Sequence, residues 1–353
     1  MSNYRGQNIV VLGENEILIE KNGKKYLLPH YIDGQRYEVT GILSANTGFG
    51  LILNAVDHHV FKRRVLIKAR NYFGKIRRNN LDNKQFLVQA RNDIKAERRV
   101  LELIRDINIP NTPVLRDYIE GYNPSLKWPE GDFYAKPYKD LEEEAYKEPY
   151  IVLQYIEGDT LENVLNSQIT TQKLTSPEWR KTVFSLVKTI CKIFRKLYRI
   201  GKRHESIAKI IYQDLKLDNI IVTPSWNFTL IDFGGVGVIK KDNKTYNLGR
   251  VYTPGYKAPE IDSLANRMVD EKVDVYTIGV VVYRLLTKVQ ITTDNILPNQ
   301  TLKFDYSLLS KHNNKLIEEF VRRTTEPDPD KRIGFDDMTD MVYTILKNIL
   351  TNQ

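Results

Sequence analysis

One stretch limits what this chain can fold into more than any other. Asp214-Leu215-Lys216-Leu217-Asp218-Asn219 is followed thirteen residues later by Asp232-Phe233-Gly234. Three side chains able to handle a metal or a proton, Asp214, Asn219 and Asp232, lie on two short loops with apolar flanks. Ile210-Ile211-Tyr212 leads into the first loop, Ile220-Ile221-Val222 leaves it, and Thr229-Leu230-Ile231 leads into the second. Short apolar runs rich in β-branched residues and bounded by polar turns read as strands. The spacing therefore predicts a strand–turn–strand hairpin with an acidic residue at each end, which brings two carboxylates and an amide to one point. Such oxygen donors suit Mg²⁺, a hard cation that binds few protein ligands and keeps some of its waters.

Composition narrows the setting. A chain of 353 residues makes one large domain or two smaller ones. A hydrophobic content of 41% supports a core, and 27% charged residues is ordinary for a soluble protein. The formal charge of +9 would attract nucleic acid, anionic lipid or a nucleotide, or it describes a solvated basic face. The single cysteine, Cys191, excludes an intramolecular disulfide and falls in a helical apolar pattern, so it reads as a core thiol. No stretch approaches the roughly 20 apolar residues of a membrane span. Met1 to Gln7 is polar and lacks the apolar region of a signal peptide, and a reducing, cytoplasmic setting is the expectation.

Periodicity divides the chain into a β-rich half and a helical half. Residues 9–28 read as two strands around Lys21-Asn22-Gly23-Lys24, with Ile17, Ile19, Tyr26 and Leu28 alternating. Asn-Gly between alternating runs is a strong hairpin signal. Further strands are predicted at 37–43, 51–56 and 65–68, with a turn over 58–64, and a helix over 85–105. Between Pro110 and Tyr155 strands are interrupted by a polar stretch, 121–149, too long for a structureless connection. From Leu161 onward helices dominate. Trp179 to Tyr198 is amphipathic, and Val273 to Leu286 is apolar nearly all round, as a helix central to a lobe should be.

Two charged residues in the β-rich half break apolar patterns. Lys68 ends the run Val65-Leu66-Ile67, and an unpaired ammonium is costly to bury. Leu87, Ala90, Ile94, Leu101 and Ile104 recur at helical steps, and Glu97 fills the gap on the same face. A carboxylate within an apolar stripe calls for a cation, and Lys68 is the expected partner. Between the first two strands of this half, Ala45-Asn46-Thr47-Gly48-Phe49-Gly50 is a glycine-containing turn whose backbone N–H groups could approach a phosphate.

These features resemble the eukaryotic-type Ser/Thr protein kinase family over residues 36 to about 345. The resemblance rests on the Asp214–Asn219 loop, Asp232-Phe233-Gly234, Lys68 with Glu97, the segment Tyr252-Thr253-Pro254-Gly255-Tyr256-Lys257-Ala258-Pro259-Glu260, and Asp328-Pro329-Asp330-Lys331-Arg332. It implies an α+β, bilobal fold with a β-rich N-lobe at 35–156 and a mainly helical C-lobe at 157–353, preceded by an extension at 1–34. It implies that Asp214 acts as catalytic base, that Lys216 reaches the γ-phosphate, and that Asn219 and Asp232 hold Mg²⁺, with Mn²⁺ as the alternative. ATP would be bound by Leu43, Gly48, Phe49, Gly50, Ile52, Lys68, Leu153, Gln154 and Ile156. Glu260 would pair with Arg332, and Asp274 would anchor the catalytic loop.

The chain also departs from the family pattern. Ala45 and Thr47 stand for the first two glycines of the phosphate loop, and Leu66 replaces a small residue beneath the adenine. Tyr212-Gln213 stands where the family has His-Arg. That arginine receives an activation-loop phosphate, so its absence implies activity without that switch. The expected partners are ATP and a protein substrate rather than nucleic acid. The rival readings are a pseudokinase acting as a nucleotide-binding scaffold, a small-molecule kinase, disfavoured by Ala258-Pro259-Glu260, and a nucleic-acid binder resting only on Lys62-Arg63-Arg64, Lys75 to Arg78 and net charge.

Overall fold

The computed structural model describes residues 7–47, 50–70, 83–124, 147–242, 245–247, 252–261 and 269–351. It divides into two compact units. The first holds residues 1–106 and 113–155, the second 107–112 and 156–353. The α+β division read from the sequence is the one found: the first unit is mostly strand and the second mainly helix.

In the first unit the chain forms β1 (Asn8–Val11), β2 (Glu16–Lys21), β3 (Lys24–Pro29), β4 (Tyr31–Ile32), β5 (Tyr37–Thr47), β6 (Gly50–Asp57) and β7 (Arg63–Ala69). Helix α1 (Asn83–Asp106), β8 (Leu115–Tyr122) and β9 (Lys147–Gln154) follow. Strands β4-β5-β6-β7-β9-β8 make one antiparallel sheet and β1-β2-β3 a second. The segment at 9–28 thus holds three strands, not two. The apolar run Ile9-Val10-Val11 adds an outer strand whose side chains are largely exposed, so the run lacks a buried face to reveal it. Asn22 (φ 52°) and Gly23 (φ 71°) make the left-handed turn that closes β2 on β3, with Lys21 opposite Lys24. The predicted turn at 58–64 is shorter, because Arg63 and Arg64 already belong to β7.

The alternation along these strands sets two faces. Val65, Ile67 and Ala69 of β7 point into a core with Leu51, Leu53 and Ala55 of β6 and Val39 and Ile42 of β5. Ile17, Ile19, Tyr26 and Leu28 of the small sheet close that core from the other side. Burying Ile17, Ile19 and Leu28 alone contributes about 5–9 kcal/mol before the cost of ordering them. The N-terminal segment is therefore an integral layer of this unit. The opposite face of the larger sheet carries Leu66, Lys68, Ile52 and Leu153, placed together by the pairs Ile52↔Lys68 and Leu66↔Leu153.

The second unit contains β10 (Asp159–Thr160), α2 (Leu161–Gln168), α3 (Thr171–Leu174), α4 (Pro177–Tyr198), β11 (Ile207–Ile211), β12 (Ile220–Val222), β13 (Phe228–Leu230), β14 (Gly237–Lys240) and β15 (Thr245–Asn247). Helices α5 (Glu271–Thr287), α6 (Lys315–Thr324) and α7 (Phe335–Thr351) complete it. Helix α4 begins at Ser176, whose side chain accepts from Trp179 N at 3.1 Å, with Pro177 in the first turn. Its apolar stripe, including Val183, Phe184, Val187, Ile190, Cys191 and Phe194, is buried. Burial pushes the Cys191 thiol up to about 11, which keeps it inert. Helix α5 is buried from Val273 to Thr287. Gly279 lets α6 approach it, because a Cβ there would lie 2.4 Å from Thr324 Oγ1. Among the described residues no helix is long and apolar enough to cross a membrane.

Candidate active site

In the first unit, Lys68 on β7 and Glu97 on α1 are 4% and 3% exposed. Lys68 Nζ donates to Glu97 Oε1 at 2.8 Å and lies 2.7 Å from Oε2. The expected pair forms, and Ile94, Val100, Leu101 and Ile104 bury the helix face around it. The side chains of Leu87 and Ala90, the first positions of the predicted stripe, lie outside the described residues. Leu43 and Ile52 are half-buried on β5 and β6. Gly50 faces Thr47 across the hairpin. A Cβ on Gly50 would lie 2.0 Å from the Ala69 carbonyl oxygen, so a side chain is excluded there. Gly48 and Phe49, between Thr47 and Gly50, lie outside the described residues, as do Lys75 to Arg78 and most of the 121–149 stretch. Leu153 and Gln154 end β9. The Gln154 N–H donates to Val114 O at 2.9 Å.

The second unit carries the acidic hairpin. Strands β12 and β13 pair Ile220 with Leu230, and Ile231 N donates to Asn219 O at 2.8 Å. The predicted hairpin forms, and it sets Asn219 opposite Ile231, the residue before Asp232. Asp214 is 6% exposed. Its Oδ2 lies 2.8 Å from Lys216 Nζ, and its Oδ1 accepts from Thr253 Oγ1 at 2.9 Å. Lys216 Nζ also donates to Thr253 Oγ1 at 2.9 Å, closing a triangle of carboxylate, ammonium and hydroxyl. Asn219 Nδ2 donates to the Asp214 carbonyl at 2.8 Å. Burial raises the Asp214 carboxyl above its ordinary range, while Lys216 and Thr253 pull it down and Asp232 raises it. Asp232 has φ 63°, and its Oδ1 accepts from Gly234 N at 3.2 Å, a local bond that holds the side chain on this sharp turn.

A buried carboxylate holds the catalytic loop from behind. Asp274, in the first turn of α5, is fully buried. Its Oδ2 accepts from Tyr212 N at 2.9 Å and from Tyr198 Oη at 2.8 Å, and its Oδ1 accepts from Gln213 N at 2.7 Å. Gln213 needs that support, since its φ of 68° is costly for a residue other than glycine. Its side chain turns inward to Gly235 O at 3.2 Å. Tyr212 packs edge-on against Phe233 at 5.3 Å between ring centroids, and its hydroxyl donates to Ile231 O, so one ring ties the two loops together.

Glu260 and Arg332 form a bidentate pair at 2.6 and 2.9 Å. The guanidinium also donates to the carbonyls of Lys272, Glu326 and Pro327. The Arg284–Glu162 ion pair is not among the sequence expectations. Arg284, in the otherwise apolar α5, binds Glu162 at 2.6 and 2.9 Å and also donates to the Tyr256 hydroxyl. The reasoning that found Glu97 for Lys68 applies equally to a cation inside α5.

The protein kinase domain family model matches residues 137–344, more than half of the chain. The chain is 28% identical over 209 residues to human cGMP-dependent protein kinase 2, covering 57% of this chain and 24% of that one. It is 27% identical over 155 residues to the RGS domain-containing serine/threonine-protein kinase A of Dictyostelium discoideum, covering 43% of this chain and 13% of that one. It is 28% identical over 137 residues to the serine/threonine-protein kinase CLA4 of Eremothecium gossypii, covering 39% of this chain and 16% of that one. The chain thus spans less than a quarter of these relatives' length. The fold division and the family match agree, and the chain belongs to the protein kinase family. Lys68 and Glu97 precede the matched region, so their pairing rests on geometry alone.

Proposed function

We propose that this protein is an ATP- and Mg²⁺-dependent kinase that transfers the γ-phosphate to Ser or Thr hydroxyls of a protein substrate. The observation that carries the reading is the triangle of Asp214, Lys216 and Thr253, backed by Asn219 and anchored by Asp274. In-line phosphoryl transfer asks little covalent work of a protein. It asks for positioning and for charge placed where charge develops. Asp214 accepts the proton of the attacking hydroxyl, held in orientation by Thr253 and Lys216. Lys216 offsets charge on the transferred group. Lys68, fixed by Glu97, takes the nucleotide phosphates.

The metal-binding residues fit their task. Asn219 commits its amide nitrogen to the Asp214 carbonyl, which leaves its oxygen as the ligating atom, and Asp232 would supply a carboxylate. Both are hard oxygen donors. Bound Mg²⁺ would supply neutralisation of the phosphate charge.

The presence of every polar group this chemistry requires favours an active kinase over a scaffold. Gln213 is 8% exposed and bonded to Gly235 O, so it offers no cationic receptor to a loop phosphate, and activity is not switched by that route. The test is transfer of labelled phosphate from ATP to peptide pools carrying Ser, Thr or Tyr. The reading predicts label on Ser and Thr, lost when Mg²⁺ and Mn²⁺ are chelated. Label on Tyr alone, or metal-independent transfer, contradicts it.

A further inference from the structure

Strand β5 leads into the phosphate-facing hairpin, and its free edge is unusual. Its pairing with β6 slips between Val39 and Gly41 and again between Ile42 and Ser44, so Leu43 is the extra residue of a bulge. Strand β4, with His30 before it accepting from Val39 N at 2.8 Å, covers the other edge only as far as Val39. Beyond it the backbone groups of β5 need partners from elsewhere, because a buried N–H or C=O left unpaired is costly.

Two side chains of the N-terminal sheet supply them. Gln7, just before β1 and 9% exposed, pairs with Ile42 as a peptide group would. Its Nε2 donates to Ile42 O at 2.7 Å, and its Oε1 accepts from Ile42 N at 2.9 Å. Lys21, at the end of β2, donates to Ile42 O at 2.8 Å and to Leu43 O, at the bulge, at 2.7 Å. On the far side of the hairpin, the close approach of Gly50 to Ala69 fixes β6. The hairpin is therefore gripped on both arms, and the grip on the β5 arm comes from the N-terminal layer.

We infer that Gln7 and Lys21 are positioning residues for nucleotide binding: they set the path of β5 at Ile42 and Leu43, and with it the nucleotide-facing residues Leu43 and Ile52. The inference rests on the kinase reading above. It makes Gln7 and Lys21 part of the nucleotide-binding apparatus rather than of an appended cap, acting through the backbone of Ile42 and Leu43.

The experiment compares wild type with Gln7→Ala, Lys21→Met and the double variant, using Lys21→Arg as the conservative replacement and Lys25→Ala as an exposed control on β3. Binding of a fluorescent ATP analogue is measured together with KM for ATP, kcat and amide exchange at Ile42. Losing one such hydrogen bond is expected to weaken nucleotide binding about 5-fold, with the double variant weaker still. KM should rise in step and kcat stay within about 2-fold, because the transfer groups lie in the other unit. Lys21→Arg should restore binding and Lys25→Ala leave it unchanged, and Ile42 exchange should quicken in Gln7→Ala. Unchanged binding in the double variant overturns the inference, whatever Ile42 exchange does, while the wild type still binds nucleotide. A wild type that binds no nucleotide overturns the kinase reading itself, and this inference with it.

Discussion

The Glu260–Arg332 pair offers a sharp test of how the second unit is held together. Arg332 has a side chain with no exposure, and Glu260 is 10% exposed. The five donor bonds of the guanidinium divide into two to the carboxylate and three to carbonyls. Glu260→Gln keeps the shape and one acceptor but removes the charge, so a buried cation loses its counter-ion. Removing one partner of a buried pair costs about 3–5 kcal/mol. The three carbonyls still solvate the guanidinium, which places this variant near 3 kcal/mol. Arg332→Met removes the whole guanidinium from the carboxylate and from three carbonyls together, and should cost about 5 kcal/mol or more. The predicted order is therefore Arg332→Met worse than Glu260→Gln. The assay is urea unfolding at neutral pH with a parallel thermal melt, where 3 kcal/mol lowers the midpoint by roughly 6–12 °C in a unit of this size. A loss below 1 kcal/mol for Glu260→Gln, or the reverse order, refutes the view that the pair is a desolvated, charge-assisted bond.

Two further predictions concern Asp274 and Gln213. Burial raises the Asp274 carboxyl to about 6, against the pull of the three donors that meet it. A carboxyl raised on folding contributes stability below its unfolded value, near 4, and loses it as pH rises through 6. The unfolding free energy of wild type minus that of Asp274→Asn should therefore fall by about 2 kcal/mol between pH 4 and 6, and a flat difference contradicts the assignment. Replacing Thr245, Tyr246, Tyr252 and Thr253 one at a time should show no phosphorylated loop residue to be essential. Loss of activity restored by an acidic replacement at any of them contradicts the role read for Gln213. Thr253 itself should lose activity through its contacts with Asp214 and Lys216.

Much of the site was legible because its chemistry interrupts apolar runs. Lys68 and Glu97 stand out against Val65, Ile67, Ile94 and Leu101, and the acidic hairpin stands out against Ile220, Ile221 and Leu230. The cost of burying a lone charge turns each interruption into a search for its partner. Arg284 carries the same signal more faintly, because the apolar character of α5 masks the one cation within its last turn. Other features leave no such trace. Strand β1 has exposed side chains, so its alternation carries no burial signal. Gln7 and Lys21 bond to backbone atoms more than twenty residues away, and backbone acceptors have no sequence identity to read. The Thr253 bond to Asp214 closes a loop across 39 residues, a contact that tertiary packing alone decides.

Asp214 is proposed to take the proton in a phosphoryl transfer organised by Lys216, Thr253 and Asn219. Single-turnover transfer from labelled ATP, compared between wild type and Asp214→Asn at saturating Mg²⁺, tests it most directly. The wild type should transfer measurably, the variant should have a rate constant lower by roughly 10²–10⁴-fold, and both should bind nucleotide equally. Equal rates in the two proteins, or no transfer by a wild type that binds ATP and metal, would contradict it.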